Sequence, residues 1–184
     1  MLFVDISGYT RLTEVLPHAQ VNALVEQYFS SFLDCIHSHG GDINETAGDG
    51  LMVIFTDAVR PQHARRAVTA ALEILRRTAQ LNDQLRQTFA GLSVHIGVNS
   101  GPALVGPTKL HGSTGMRWIY TASGQVTNIA ARITELAESG MILVGAETFR
   151  RIAGHFVAQE LGVQQVKNVS ERLMLYRILG EIET

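Results

Sequence analysis

Apolar residues occur along the chain either at helical spacing or in short continuous runs. Between residues 19 and 39 they recur every three or four positions, which predicts a long helix that Gly40 and Gly41 end. Pro61, a residue favoured in a first helical turn, opens a second long helix to about residue 89. A third helix follows its cap Ser123 to about residue 138, and a short helix covers residues 146–152.

Short apolar runs predict the strands of a sheet. They lie at residues 2–6, 92–98, 103–105, 118–121, 142–144 and 173–178. Two more runs, 43–46 and 51–55, flank a small-residue turn at 47–50 and predict a hairpin. Because strands alternate with helices and some strands are joined by hairpins, we expect an α/β (α+β) fold, a mixed sheet with helices packed on it.

The composition is that of a globular protein. Its 184 residues fit a single domain, 1–184, and 46% hydrophobic against 17% charged residues exclude a disordered chain. The net charge of −2 argues against nucleic-acid binding through a basic surface. No apolar run approaches the roughly 20 residues of a membrane span, and no signal segment is recognisable, so we expect a cytoplasmic domain without membrane contact. Since Met1 directly precedes a strand, we expect a domain of a longer, multidomain protein, and a membrane-anchored protein stays open for that longer chain.

Two aspartates lie in turns beside apolar strands. Asp5 lies at the end of the strand at 2–6, before a turn that opens a helix, and Asp49 lies at the hairpin tip. Carboxylates on neighbouring strand ends can hold two divalent cations, and oxygen ligands suit Mg²⁺ or Mn²⁺. A pair of such metals suits in-line displacement at phosphorus. Aspartate is also common in ordinary turns, so the pattern by itself leaves both interpretations open.

Other polar residues fit a phosphate-bearing nucleotide. The third helix places Asn128 and Arg132 four positions apart, on one face. The amide can meet a ribose oxygen and the guanidinium can meet phosphate charge, although a solvated helical face has the same appearance. Gly8, Tyr9 and Thr10 supply backbone N–H groups at a helix start, which suits a polyphosphate.

Four segments carry a family resemblance. They are 3–10 (FVDISGYT), 40–55, 96–101 (IGVNSG) and 120–132 (YTASGQVTNIAAR), with a looser match at 166–171. With these motifs in this order, the chain resembles the catalytic domain of class III nucleotide cyclases, the adenylyl and guanylyl cyclase family, over nearly its whole length. The resemblance implies a ferredoxin-like, mixed and mainly antiparallel sheet flanked by helices.

The resemblance also implies a role for each matching residue. Asp5 and Asp49, assisted by the Ile6 carbonyl, match the family's ligands for two Mg²⁺ or Mn²⁺ ions. Asn128 matches the residue that orients the ribose, and Arg132 matches the residue that stabilises transition-state charge. The implied reaction is attack of the ribose 3′-hydroxyl on the α-phosphorus, with release of pyrophosphate, and the motifs place no histidine in the site.

The family works as an antiparallel dimer with active sites between its subunits, so the resemblance implies a homodimer of this chain with shared active sites. One protomer gives the aspartates, and its partner gives the base-reading residues, the asparagine and the arginine. The segment at 106–115 resembles the family's dimerisation arm. Lys167 is the nearest candidate for the lysine that binds the triphosphate.

Two positions in the family read the purine, and the resemblance places Glu45 and Thr121 there. Glutamate accepts from guanine N1–H and the 2-amino group, and the Thr121 hydroxyl can donate to O6, so the pair favours GTP. ATP stays open, because Glu45 could accept from the adenine 6-amino group, and Glu45 could also be an ordinary exposed residue. Three hypotheses follow: an active cyclase, a catalytically silent nucleotide-binding or heterodimerising module of this fold, and a two-metal enzyme of another palm-type class. Asn128 and Arg132 argue against the third, which has no use for them.

Overall fold

A computed structural model describes residues 1–56, 62–87, 89, 91–112, 115–166, 169 and 171–183. In chain order the elements are β1 (Leu2–Ile6), α1 (Tyr9–Val15), α2 (His18–Ser38), β2 (Gly41–Ala47), β3 (Gly50–Phe55), α3 (His63–Leu85), β4 (Val94–Val98), β5 (Leu104–Gly112), β6 (Gly115–Ser123), α4 (Gln125–Leu136), β7 (Ile142–Gly145), α5 (Ala146–Ile152), β8 (Phe156–Gln164) and β9 (Leu173–Glu181). No helix within these ranges is long and apolar enough to cross a membrane.

Seven strands form one sheet in the order β2-β3-β1-β4-β7-β9-β8. Neighbouring strands are antiparallel except for the pair β4 and β7. The first four strands with α2 and α3 follow the β-α-β-β-α-β order of a ferredoxin-like fold. The predicted mixed, mainly antiparallel sheet flanked by helices is therefore confirmed.

The main core lies between one face of the sheet and the helices α2 and α3. Leu2, Val4 and Ile6 of β1 are buried there, together with Phe32 of α2 and Ile74 of α3. Because side chains alternate along a strand, the intervening residues of β1 point to the opposite face. Helix α4 covers that second face, so β1 lies between two layers of helices.

Helix α4 approaches the sheet closely because one residue of β4 lacks a side chain. A Cβ built on Gly97 lies 2.3 Å from Thr134 Oγ1 and 2.5 Å from the Thr134 backbone nitrogen. On its buried face α4 also carries Ala130, whose carbonyl oxygen lies 2.8 Å from the same point. This close contact sets the height of α4 above the sheet.

A long two-stranded hairpin stands outside the main sheet. Its strands β5 and β6 pair antiparallel from Leu104 opposite Ser123 to Gly112 opposite Gly115. The sequence predicted only two short strands here, 103–105 and 118–121, with a segment rich in Gly and Pro between them. That prediction was too short, because Gly106 and Pro107 stay extended in a two-stranded ribbon, where proline is tolerated on an edge strand.

Other boundaries also differ from the sequence prediction. Ser123 is the last residue of β6, and Gly124 precedes α4 with φ of 141° and no side-chain cap, so Ser123 is not the helix cap. Strand β8 was missed, because register shifts near Val157 and Gly162 interrupt the alternation that marks a strand. Helix α3 runs from His63 to Leu85, while Pro61 lies outside the described residues.

The contact at Gly97 makes a stability prediction. Gly97→Ala places a methyl group against the backbone of α4, which cannot rotate away, and we expect a loss of about 1–3 kcal/mol in the free energy of unfolding. Chemical denaturation measures it. Gly180→Ala in β9 is the matched control, because a Cβ there meets no atom within 4 Å. Equal stabilities of the two variants would contradict the proposed packing.

Candidate active site

The two predicted metal aspartates come together at one edge of the sheet. Asp5 on β1 pairs with Gly50 of β3 on one side and with His95 of β4 on the other. The backbone N–H of Ile6 donates to the carbonyl oxygen of Asp49 at 3.2 Å. The turn that carries Asp49 is thereby tied to the end of β1.

The turn geometry depends on Gly48. Its φ of 63° lies in the left-handed region, which glycine adopts without steric cost. Gly48 and Asp49 form the two-residue turn between β2, ending at Ala47, and β3, starting at Gly50. A tight hairpin therefore fixes the backbone of Asp49 beside β1.

Electrostatics at this edge favour a cation. Burial, followed by repulsion from the Asp5 carboxylate, raises the pKa of Asp49, while its own backbone and His95 oppose the shift. The side chain of Asp5 is 37% exposed, so its carboxylate can reach a ligand from solution. Two carboxylates that repel each other are the donor set that hard divalent cations such as Mg²⁺ or Mn²⁺ prefer. The residues of this edge therefore fit the predicted metal pair.

The structure adds a histidine that the sequence motifs did not place. His95 Nε2 lies 3.4 Å from Asp5 Oδ2, and its Nδ1 lies 2.9 Å from Ser7 Oγ. Alternation along β4 gives the signal that was missed: Val94 and Ile96 are buried in the main core, so His95 must face the side of Asp5. The strand register, which the motifs do not reveal, then pairs the two residues.

The predicted polyphosphate loop lies between β1 and α1. Gly8 is the N-cap of α1, with φ of 75°, and Tyr9 and Thr10 form the first turn. Backbone N–H groups in a first helical turn have no partner within the helix. The Tyr9 ring packs partly against the main core, which leaves the backbone of the loop as its candidate binding surface.

Helix α4 presents the other predicted catalytic residues on its outer face. Val126, Ala130 and Ile133 are buried against the sheet, whereas Asn128 is exposed and Arg132 is half-buried. The guanidinium of Arg132 forms an ion pair with the carboxylate of Glu135, one turn later.

A cavity of about 180 Å³ lies between this helix and the aspartate edge of the same subunit. Its lining residues are Phe3, Val4, Asp5, Gly50, Ala131, Thr134 and Glu135. The start of α4 is fixed separately, since the amide of buried Asn99 donates to the carbonyl of Val126 at 3.3 Å. The helix that bears Asn128 and Arg132 is thus held at both its buried face and its first turn.

The two predicted base-reading residues lie on other strands, β6 and β2. Thr121 is half-buried on β6, opposite Gly106. Glu45 lies on β2 directly after a register shift, opposite Met52, and β2 is in contact with β6. Lys167 lies outside the described residues. The strands that carry the two proposed base-reading residues therefore adjoin.

Known nucleotide cyclases are similar to this chain in sequence and in structure. The chain is 28% identical over 168 residues to an adenylate cyclase of Mycobacterium tuberculosis, covering 91% of this chain and 36% of that protein. The adenylyl cyclase CyaB from P. aeruginosa superimposes with a TM-score of 0.87 at 28% identity, over 97% of this chain and 91% of that one. For the guanylyl cyclase Cya2 the TM-score is 0.86 at 27% identity, over 99% and 91%.

The chain spans about a quarter to a third of the length of the curated relatives it matches, 25% and 36% for two of them. A family model for the adenylate and guanylate cyclase catalytic domain matches residues 1–180. That match covers nearly the whole chain and includes both aspartates and the α4 pair. The chain therefore belongs to the adenylate and guanylate cyclase catalytic domain family and is a nucleotide cyclase domain.

Proposed function

We propose that this domain converts a purine nucleoside triphosphate, GTP in preference to ATP, to the 3′,5′-cyclic monophosphate and pyrophosphate. The observation that carries the proposal is the pairing of Asp5 with the Asp49 turn through the Ile6 N–H···O contact. It brings the two aspartates together at one end of β1, where Asp5 lines the cavity beneath α4. The family of the chain makes a cyclic nucleotide the product of such a site.

Asp5, Asp49 and the Ile6 carbonyl would hold two Mg²⁺ or Mn²⁺ ions. When bound, these ions lower the pKa of the attacking ribose hydroxyl and neutralise phosphate charge. The carboxylates position the ions and supply negative charge. The pairing of β1 with β3 and the hydrogen bond from Ile6 N–H to the Asp49 carbonyl hold the two residues next to each other. The N–H groups of Gly8, Tyr9 and Thr10 are proposed to contact the polyphosphate, and Lys167 stays the candidate for the triphosphate lysine.

Asn128 and Arg132 are proposed to act on the sugar and on the developing charge. Their position on the outer face of α4 supports this role, because both face away from their own sheet. Arg132 must leave Glu135 to reach a phosphate. That exchange costs little, because ion pairs exposed to solvent contribute only about 0–1 kcal/mol, and a phosphate offers a bidentate partner instead.

Two copies of the chain are proposed to share the active sites. The hairpin of β5 and β6 stands outside the main sheet and exposes apolar side chains, Leu104 at 78% and Met116 at 55%. Such residues suit burial by a second subunit. In the antiparallel dimer, the aspartates of one protomer meet Asn128 and Arg132 of its partner.

The purine is proposed to be read by Glu45 and Thr121. The contact between β2 and β6 supports a joint role, since it brings the two strands together. The two solved cyclases compared above act on different purines by their names, one adenylyl and one guanylyl, at nearly equal similarity to this chain. The preference for GTP therefore rests on the hydrogen-bonding chemistry of the glutamate and threonine.

A direct assay tests the reaction. The protein is incubated with GTP or with ATP, in Mn²⁺ and then in Mg²⁺, and the product is identified by mass spectrometry and by comparison with authentic 3′,5′-cyclic nucleotides. Formation of cyclic nucleotide and pyrophosphate in equal amounts supports the proposal. Binding of either nucleotide without turnover would instead identify a catalytically silent module.

The metal assignment predicts loss of activity without loss of folding. We expect Asp5→Asn and Asp49→Asn each to lower kcat/KM by more than about 100-fold. Mutation of a residue that only hydrogen-bonds to a metal ligand already lowers metal affinity or activity by about 10–100-fold. The raised pKa of Asp49 means that its ionisation destabilises the folded state at neutral pH. The melting temperature of Asp49→Asn without metal should therefore equal or exceed that of the parent.

Thermal melts with and without Mn²⁺ complete this test. Mn²⁺ should raise the melting temperature of the parent, because it binds the folded state, but not that of either variant. Asp34→Asn, an exposed change on α2, is the matched control and should behave like the parent. Parent-like activity in either active-site variant would remove that residue from the metal site.

Sharing of the site between subunits predicts complementation. Asp5→Ala and Arg132→Ala should each be inactive alone, yet a co-expressed or co-refolded mixture should recover activity. Random assortment makes half of the dimers mixed, and each mixed dimer keeps one intact site, so recovery should reach about a quarter of the parent. If dimers that are proven to be mixed stay inactive, both residues belong to the site of one subunit.

Base recognition predicts a change of substrate preference. The parent should show a higher kcat/KM for GTP than for ATP, because a carboxylate that finds no donor on adenine loses binding free energy. Glu45→Lys, alone or with Thr121→Asp, should shift the ratio toward ATP by about 10-fold or more. Asp42→Lys, an exposed charge change on the same strand, serves as the control. A parent that prefers ATP, or a ratio that does not move, would remove Glu45 from base recognition.

A further inference from the structure

Three side chains form a continuous polar chain beside the proposed metal site. Ser7 Oγ lies 2.9 Å from His95 Nδ1, and His95 Nε2 lies 3.4 Å from Asp5 Oδ2. The imidazole side chain is 14% exposed, whereas the Asp5 side chain is 37% exposed. These contacts therefore link a largely buried imidazole ring to a carboxylate that reaches solvent.

The backbone holds all three residues in place. Asp5 and His95 are direct partners across the β1–β4 ladder. Beyond the end of β1, the Ser7 N–H donates to the Ser93 carbonyl at 2.8 Å, so Ser7 stays beside the same strand. Strand pairing thus fixes the relative positions of the three backbones, and the side-chain rotamers depend on the contacts between the side chains.

The chemistry of the groups gives each contact a direction. Nε2 and Oδ2 lie within ion-pair distance at 3.4 Å, and because an ionised carboxylate can only accept, the tautomer with its hydrogen on Nε2 is the one that favours this contact. In the neutral ring Nδ1 then has a lone pair and accepts from the Ser7 hydroxyl. In this tautomer the donor edge of the ring faces Oδ2 of Asp5.

We propose that His95 is a positioning residue for Asp5, and that Ser7 fixes the orientation of its ring. The imidazole holds the carboxylate in the rotamer that meets a divalent cation, so that binding the cation does not have to order the side chain. Outer partners of metal ligands act in this way in general, by fixing orientation before the metal binds. The inference rests on the proposed metal role of Asp5 and adds two residues to it.

The experiment measures metal binding directly as well as turnover. Free Mn²⁺ is followed by electron paramagnetic resonance while the nucleotide-free protein is titrated with Mn²⁺ alone. We expect His95→Leu to weaken Mn²⁺ binding, and to raise the Mn²⁺ concentration for half-maximal activity, by about 10–100-fold. KM for the nucleotide at saturating Mn²⁺ should change less than about threefold, because the proposed contact is to Asp5 and not to substrate. Ser7→Ala should act in the same direction with a smaller effect.

Conservative and matched variants separate positioning from general stability. His95→Gln keeps an N–H donor near the position of Nε2 and should recover part of the Mn²⁺ affinity that His95→Leu loses. His39 pairs with Glu73 at 3.2 Å, with similar partial burial, between α2 and α3. His39→Leu therefore removes an equivalent histidine–carboxylate contact elsewhere and should leave Mn²⁺ affinity unchanged.

Several outcomes would overturn the proposal. Mn²⁺ affinity of His95→Leu within twofold of the parent would do so, as would a rise in nucleotide KM alone, which would make His95 a substrate contact. A parent that binds no Mn²⁺, or whose binding survives Asp5→Asn, removes the metal site itself. A parent that binds Mn²⁺ through Asp5 but forms no cyclic product defeats the proposed function only, and the titration still decides the role of His95.

Discussion

The two-residue period of strand β1 decides where the chemistry of this domain lies. Leu2, Val4 and Ile6 are buried against α2 and α3, and this burial holds the centre of the sheet. Asp5 must then point to the opposite face, where burial by α4 is incomplete. A shift of one residue in the pairing would move the carboxylate into the apolar core and its apolar neighbours onto the face that α4 covers. The same hydrophobic energy that stabilises the fold therefore fixes the position of the site.

The sequence predicts features that depend on short-range patterns, and it misses those that depend on register. The strand that delivers Asp5 and the hairpin that presents Asp49 follow from local apolar runs around glycine turns, and the structure has both. His95 was missed because only the pairing of β4 with β1 brings it to Asp5. The residue type of Ser123 predicts a helix cap, but its pairing with Leu104 continues the strand through it. Long-range pairing overrides the local preference in each case.

The position of α4 shows how a packed layer can control a polar site. The missing side chain at Gly97 lets the helix backbone approach the sheet, and Asn99 joins the end of β4 to the first turn of the helix. Both residues belong to the segment 96–101 that carries part of the family resemblance. Neither is proposed to touch the nucleotide. Their effect is to set the height and the start of the helix that presents Asn128 and Arg132, and such placement is what a reaction driven by orientation requires.

The charges of the site are held together by backbone structure and not by their own attraction. Burial and the repulsion between Asp5 and Asp49 raise the pKa of Asp49, so the pair costs stability when no cation is present. Strand pairing and the hairpin turn supply the opposing free energy. On α4 the situation is the reverse, because Arg132 already has a partner in Glu135, but that pair is exposed to solvent and weak. The two carboxylates of the proposed site thus repel each other without a cation between them, and the guanidinium of Arg132 is held only by a weak ion pair. In the proposed function a metal-bound triphosphate would meet both needs at once, with its cations at the carboxylates and its phosphates at the guanidinium, and neither a free metal nor a free nucleotide would do so alone.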